Sequence, residues 1–350
     1  MKKFLCVLVT LSLLALATAC GSSESVQAVE ETEDKVVVGF SQLGAESDWR
    51  CANTESMKAA FTEDNGYELI FDDAQQKQAN QIKAIRNFIQ QEVDYIILAP
   101  VTETGWDTVL TEVKEAGIPV IIVDRMVDVE DESLYTCFVG SDFELEGKKA
   151  AAWLHEYAEE RGIAPEDLHI VNIQGTIGAT AQIGRTAGLA DAAKKYGWDL
   201  LAEVSGEYTR AKGREVMEDF LKTYDNINVV YCENDNEAFG AIEAIEAAGK
   251  TVGSDIADGE IMIMSFDAVS EAMEYALEGK IACVTECNPL HGPRVKGIIE
   301  TLEAGGVPDK RSYPTEGIFT ADDVVKKITV DGVGYDVTMV TEELLRSRAY

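Results

Sequence analysis

Glu46, Ser47, Asp48, Trp49 and Arg50 stand in one unbroken run, so two carboxylates, a hydroxyl, an indole and a guanidinium fall at a single point of the chain. Ionised carboxylates and a guanidinium each reach two neighbouring hydroxyls at once, and the indole offers a flat apolar face. This is chemistry for a polyhydroxylated ring with one face of C–H groups. The same residues also suit a plain structural role, with Trp49 stapling a helix start and Glu46 capping it. Taken alone, the run leaves both readings open.

The elements around the run narrow the choice. Val36–Phe40 is an apolar stretch of the length of a buried parallel strand, and the pattern breaks at Gly44 before the polar residues begin. The run therefore sits at the carboxyl end of a strand and the start of a helix, where open α/β sheets bind small ligands. Further apolar runs follow at Leu69–Phe71, Tyr95–Ala99, Val120–Val123, Cys137–Val139, His169–Ile173, Leu200–Val204, Val229–Cys232, Ile261–Phe266 and Ile281–Val284. Between them lie segments of helical period, such as Lys77–Gln91 with Ile82, Ile85, Phe88 and Ile89 on one face, and Thr108–Ala116 closed by Gly117 and Pro119. Strands alternating with helices predict an α/β fold with parallel sheets and right-handed crossovers. Ten such strands with their helices exceed one compact core, so two sheets are expected. The runs end in polar residues, among them Asp124-Arg125, Gln174, Glu233-Asn234-Asp235 and Asp267. Polar groups thus gather at the carboxyl edges of two sheets, and two such edges facing each other make a cleft.

A catalytic reading finds little to hold. His155, His169 and His291 are scattered without metal-ligand spacing, no G-x-S-x-G elbow occurs, and no Ca²⁺ loop of the D-x-[DN]-x-[DN]-G form is present. No metal, no cofactor and no enzymatic activity is therefore expected. Carboxylates are abundant enough for a glycosidase pair, but carboxylates flanked by arginines should have lowered pKa values, which suits holding a sugar and not protonating a leaving group. The glycine-rich turn after Gln174 resembles an anion cradle at a helix N-terminus, yet it fits no phosphate-loop spacing. Trp106 opens a helix in ETGWDT, where packing is the commoner role, and is left out of the site.

The chain of 350 residues, 46% of them apolar, is long enough for two domains with cores of their own. A formal charge of −33 argues against nucleic acid and against a polybasic membrane patch, and it weakly favours a neutral ligand. Lys2 and Lys3, the apolar run Phe4–Leu16 and the small residues before Cys20 read as an export signal over 1–20, too short to span a membrane. Residues 21–34, GSSESVQAVEETED, read as an acidic flexible tether. Cys20 closes a stretch that resembles the lipobox of bacterial lipoproteins, with Ala17 where Leu is usual, which implies lipidation at Cys20. The remaining Cys51, Cys137, Cys232, Cys283 and Cys287 are odd in number and lack paired spacing, so free thiols are expected.

As a set, GFSQLGAESDWR, DDAQQKQANQIKAIRNFI, APVTETGWDTVL, IPVIIVDR, LEGKKAAAWL, IQGTIGAT, YTRAKGREVMEDFL, YCENDNEAFGAI and SFDAVSEAM resemble the galactofuranose-binding proteins of ABC sugar importers, of the ribose/galactose type within class I periplasmic binding proteins. The resemblance covers nearly the whole chain after the tether. It implies two Rossmann-like lobes joined by a three-segment hinge, residues 35–138 with 287–314 and residues 139–286 with 315–350, closing on one sugar. Position by position it implies Arg50, Asp124, Arg125, Arg185, Asn234 and Asp267 as sugar ligands, and use of the turn at Gln174. For Asp124-Arg125 the structural alternative is an ion pair at a strand end. The resemblance further implies a monomeric, extracytoplasmic lipoprotein, held at the membrane through acylated Cys20, that delivers a monosaccharide to an ABC permease and its ATPase. A sensor component of the same fold with another sugar, such as ribose or galactose, is the alternative. Repressors that share the fold carry a DNA-binding helix-turn-helix where this chain has its export segment. Two departures stand out: the family has Gly at the position of Asp48, and the chain from Lys310 onward is less similar, with Asp331-Gly332 predicting a hairpin.

Overall fold

The computed structural model describes residues 35–350. The expected export signal, the tether and Cys20 lie outside the described residues. The apolar runs become strands: β1 (Val36–Gln42), β2 (Tyr67–Asp73), β3 (Tyr95–Leu98), β4 (Val120–Val123) and β5 (Cys137–Val139) pair in parallel in the order β2-β1-β3-β4-β5. Side chains alternate between the faces of a strand, so Ile96, Leu98 and Ile122 enter one apolar cluster while Ile97, Ile121 and Val123 enter another. Helices α2 (Gln78–Gln90) and α3 (Asp107–Ala116) close the first face, and α1 (Asp48–Ala60) lies over the second. On α2 the buried Ala84, Ile85 and Phe88 recur at helical spacing. Phe88 lies so tightly over β1 that a Cβ at Gly39 would come within 2.6 Å of its ring, and burying that side chain contributes about 2–3 kcal/mol.

Helix α4 (Phe143–Arg161) leads into the second sheet, built from β6 (His169–Gln174), α5 (Thr180–Tyr196), β7 (Asp199–Ser205), α6 (Arg210–Thr223), β8 (Val229–Cys232), α7 (Asp235–Ala247), β9 (Met262–Asp267), α8 (Ser270–Leu277) and β10 (Cys283–Glu286). Its strands repeat the first topology, in the parallel order β7-β6-β8-β9-β10. In each sheet the order reverses beside the first strand, and the crevice outside such a switch point is where α/β sheets hold ligands.

The chain passes between the sheets three times: from β5 to α4, from β10 to α9 (Gly292–Glu303), and from β11 (Arg311–Ser312) to β12 (Ile318–Thr320). Helix α9 packs on α1 so closely that a Cβ at Gly292 would come 2.0 Å from the Ser56 carbonyl oxygen. The three crossings meet at Glu316, whose Oε1 lies 2.5 Å from Ser141 Oγ and accepts from the Asn288 amide at 2.8 Å. This is the two-lobed α/β architecture with a three-segment hinge. β12 departs from the parallel rule. β11 runs parallel to β5 and leaves the first sheet at its carboxyl edge, so β12 enters the second sheet from the edge facing it and pairs antiparallel with β10. Beyond it, β13 (Lys327–Val330) and β14 (Val333–Asp336) form the hairpin predicted at Asp331-Gly332, both residues having the positive φ, 51° and 81°, that a tight hairpin turn needs. β15 (Thr338–Met339) and α10 (Glu342–Ser347) complete the described chain. Among the described residues no helix is long and apolar enough to cross a membrane, and Cys51, Cys137, Cys232, Cys283 and Cys287 are free.

Candidate functional site

Ser47 caps α1, its Oγ accepting from the Arg50 amide at 3.1 Å, and this fixes the first helical turn. Trp49 and Arg50 then point inward and are nearly fully buried. The indole Nε1 donates to the Cys287 carbonyl at 2.7 Å, tying α1 to a hinge crossing, and the Arg50 guanidinium stacks 4.6 Å over the indole ring. Arg50 also donates to Glu46 Oε1 at 3.0 Å and to Asp124 Oδ2 at 2.5 Å. Asp124 ends β4 in the left-handed region, φ 63°, a conformation that a non-glycine residue holds only at a cost. Burial alone would raise its carboxyl, but Arg50, Arg125 and His291 outweigh burial and hold Asp124 below the usual carboxylate range. Arg125, next in sequence, donates to the Val101 carbonyl at 2.8 Å and lays its guanidinium 5.1 Å over the ring of Tyr208 in the other lobe.

The opposite wall is built in the same way. Arg185 on α5 bonds Glu146 at 2.8 Å, Asp267 at 3.3 Å and the Glu233 carbonyl. Asn234 caps α7, accepting from the Glu237 amide at 2.8 Å and donating to the Tyr208 carbonyl at 3.1 Å. Asp267 (φ 105°) and Tyr208 (φ 62°) share the strained backbone of Asp124, so three costly conformations converge on one place. Arginine-flanked carboxylates were expected to have lowered pKa values, and Asp267 differs. Burial dominates there and raises its carboxyl well above the ordinary range; Arg185 opposes this but is shared with Glu146, and Asp235 adds repulsion.

Together these side chains line a narrow cavity of about 20 Å³. The first lobe contributes Glu46, Ser47, Trp49, Arg50, Asp124 and Arg125, and the second contributes Arg185, Asn234 and Asp267. Phe143, Ala181, Tyr208 and Cys287 complete the lining and were not singled out by the sequence. Tyr208 sits over Gly175, where a Cβ would come 1.9 Å from the phenol ring, so the glycine of QGT makes room for the tyrosine. Two buried polar atoms in the lining have no protein partner, Glu46 Oε2 and the Tyr208 hydroxyl. One awaits a donor, and the other can donate or accept.

Two expected residues fall outside the cavity. Consecutive residues of a helix point about 100° apart, so with Trp49 and Arg50 turned inward, Asp48 is turned outward and exposed. Gln174 donates to Thr186 Oγ1 at 3.1 Å beside the second sheet. Trp106 is fully buried and donates to the Thr102 carbonyl at 2.7 Å, a packing role. Beneath the cavity, Glu146, Cys287 and Glu316 bring ligand-type atoms within 4.8 Å of one another. Arg185 already binds Glu146, and Lys149 Nζ donates to the Glu316 carbonyl at 3.0 Å, so two cations oppose a metal ion there.

Residues 38–290 match the periplasmic binding protein domain family. The chain is 39% identical, over 82% of its length and 88% of the relative's, to the galactofuranose-binding protein YtfQ of Escherichia coli (strain K12). Among solved structures it resembles a Mycobacterium smegmatis protein in complex with β-D-fucofuranose, with 43% identity, a TM-score of 0.77 and 83% and 92% of the two chains covered. It also resembles the binding protein of the arabinose ABC transporter from Shewanella sp. ANA-3, bound to α- and β-L-arabinofuranose, with 41% identity, a TM-score of 0.76 and 82% and 93% covered.

Proposed function

The chain belongs to the periplasmic binding protein family, and we propose that it captures a monosaccharide in its furanose form between its two lobes and delivers it to an ABC permease. It is a solute-binding protein and not an enzyme. The observation that carries the reading is the interlobe cavity itself. Three guanidinium groups, Arg50, Arg125 and Arg185, and three carboxyl groups, Glu46, Asp124 and Asp267, line it, donors and acceptors suited to the adjacent hydroxyls of a polyol. The unpartnered Glu46 Oε2 and Tyr208 hydroxyl are the places where ligand hydroxyls fit. Galactofuranose, fucofuranose and arabinofuranose, named for the relatives, are all five-membered rings, which favours a furanose over a pyranose here.

Residues 35–138 with 287–314 form one lobe in this reading, and 139–286 with 315–350 the other. The chain works as a monomer outside the cytoplasm, held to the membrane by a lipid on Cys20, and Cys20→Ala releases it into the medium. The sugar reading is tested by thermal shift with galactose, fucose, arabinose, ribose and glucose, followed by NMR of the bound ring form. A ligand at about 100 times its Kd stabilises by about 2.7 kcal/mol. Stabilisation by a sugar bound as a furanose supports the proposal, and no stabilisation by any of them refutes it.

A further inference from the structure

Asp48 faces the other lobe across the mouth of the cleft. Its backbone amide donates to Asn236 Oδ1 at 3.1 Å, and Asn236 Nδ2 returns a hydrogen bond to Asp48 Oδ2 at 3.0 Å. The pair joins the first turn of α1, on the first sheet, to the first turn of α7, on the second. Helix N-termini carry partial positive charge, so drawing two of them together is unfavourable unless an anion lies between them. The other acidic groups of these two first turns, Asp235 and Glu237, are both buried, Asp235 committed to Ser265 Oγ and the Val269 amide and Glu237 accepting from the Tyr208 amide. Asp48 is the carboxylate left to bridge the two helix ends.

We propose that Asp48 is a positioning residue for closure: it latches the lobes through Asn236 and sets how long a ligand is retained, without touching the ligand. Only the nature of that ligand rests on the sugar-carrier reading; the latch rests on the two hydrogen bonds. Because the latch exists only when the lobes meet, it raises the population of the closed state and lowers the escape rate. Asp48 is solvent-exposed, so its contribution is modest. Closure elsewhere on the rim runs through other bonds, the Met126 amide to Thr180 Oγ1 at 2.8 Å and the Glu103 amide to the Gly178 carbonyl at 3.0 Å, so the lobes still meet without Asp48.

The test compares wild type with Asp48→Ala, Asp48→Asn and Asn236→Ala by stopped-flow binding of arabinose, galactose and fucose, and by small-angle scattering of the unliganded proteins. Asp48→Ala is expected to speed dissociation about three- to tenfold, by the same factor for every sugar that binds, with the association rate unchanged. Asp48→Asn, which keeps an acceptor for Asn236, should recover part of the loss. Adding Asp48→Ala to Asn236→Ala should change little more. Without sugar, Asp48→Ala should scatter as a more open particle than wild type. A factor that differs between sugars would place Asp48 on the ligand and overturn the latch, as would an unchanged dissociation rate. If wild type binds none of the sugars, the carrier reading fails on its own, and the latch then stands or falls with the unliganded scattering: identical curves for wild type and Asp48→Ala overturn it.

Discussion

Arg50 Nη2 lies 2.5 Å from Asp124 Oδ2, so the first turn of α1 and the strained end of β4 are held as one charged unit. Both side chains are almost wholly buried, and removing one partner leaves the other short of a counter-charge. Arg125 is likewise buried, its guanidinium 3.6 Å from Glu46 and 3.8 Å from Asp124. Asp124→Ala and Arg125→Ala are each expected to lose about 2–5 kcal/mol of sugar affinity while the fold persists. Calorimetry with circular dichroism as control checks this, and affinity within about threefold of wild type, less than 1 kcal/mol, would remove that residue from the site.

Tyr208 offers a sharper separation of binding from stability. Its hydroxyl is buried without a protein partner, so the unliganded protein gains nothing from it. Tyr208→Phe should leave the thermal midpoint of the unliganded protein unchanged or raised, and weaken sugar binding by about 1–3 kcal/mol. A drop in unliganded stability with unchanged affinity would assign the hydroxyl to the fold and not to the ligand.

The hinge gives a pH prediction. Burial first, then Glu146, raises the Glu316 carboxyl from 4.5 to about 8, against the hydrogen bonds from Ser141 and Asn288. The folded chain thus keeps a proton that the unfolded chain releases from about pH 4.5 upward, and stability falls as pH rises between 4.5 and 8. His291 acts on the other side: burial lowers it from 6.5 to about 4, so its contribution is lost as pH falls through that window. Glu316→Gln carries no such proton. Its stability relative to wild type should climb between pH 5 and pH 8, with a limiting slope of about 1.4 kcal/mol per pH unit. Urea melts at several pH values check it, and a difference that stays constant with pH would contradict it.

The fold was legible where burial is uniform. Val120–Val123, Cys137–Val139 and Val229–Cys232 occur as strands with the very bounds of their apolar runs, because a strand covered on both faces has no polar positions to blur it. β11 and β15 were not legible, since two residues carry no period and they form only where the hinge and the hairpin deliver them to a sheet edge. Within the site, Asp124, Asn234 and Asp267 could be read because each closes a strand or starts the helix after it. Tyr208 could not, because it reaches the cavity through a left-handed backbone and the space above Gly175, neither of which spacing reveals. Asp48 was misplaced for a helical reason: the run Glu46 to Arg50 was read as one cluster, but the first turn of α1 turns Asp48 away from its neighbours.

In the proposed function the cavity between the lobes selects a furanose. A site built to bond particular hydroxyls rejects an analogue that leaves buried groups unsatisfied, and Glu46 Oε2 and the Tyr208 hydroxyl are such groups. The most direct measurement is calorimetric titration of the whole protein with galactofuranose, ribose and glucopyranose under one set of conditions. Galactofuranose or a close furanose should bind in the micromolar range or tighter, about −8 kcal/mol or better, and ribose, which lacks the exocyclic diol, far more weakly. Glucopyranose, or ribose bound in its pyranose form, binding as tightly as galactofuranose would contradict the account.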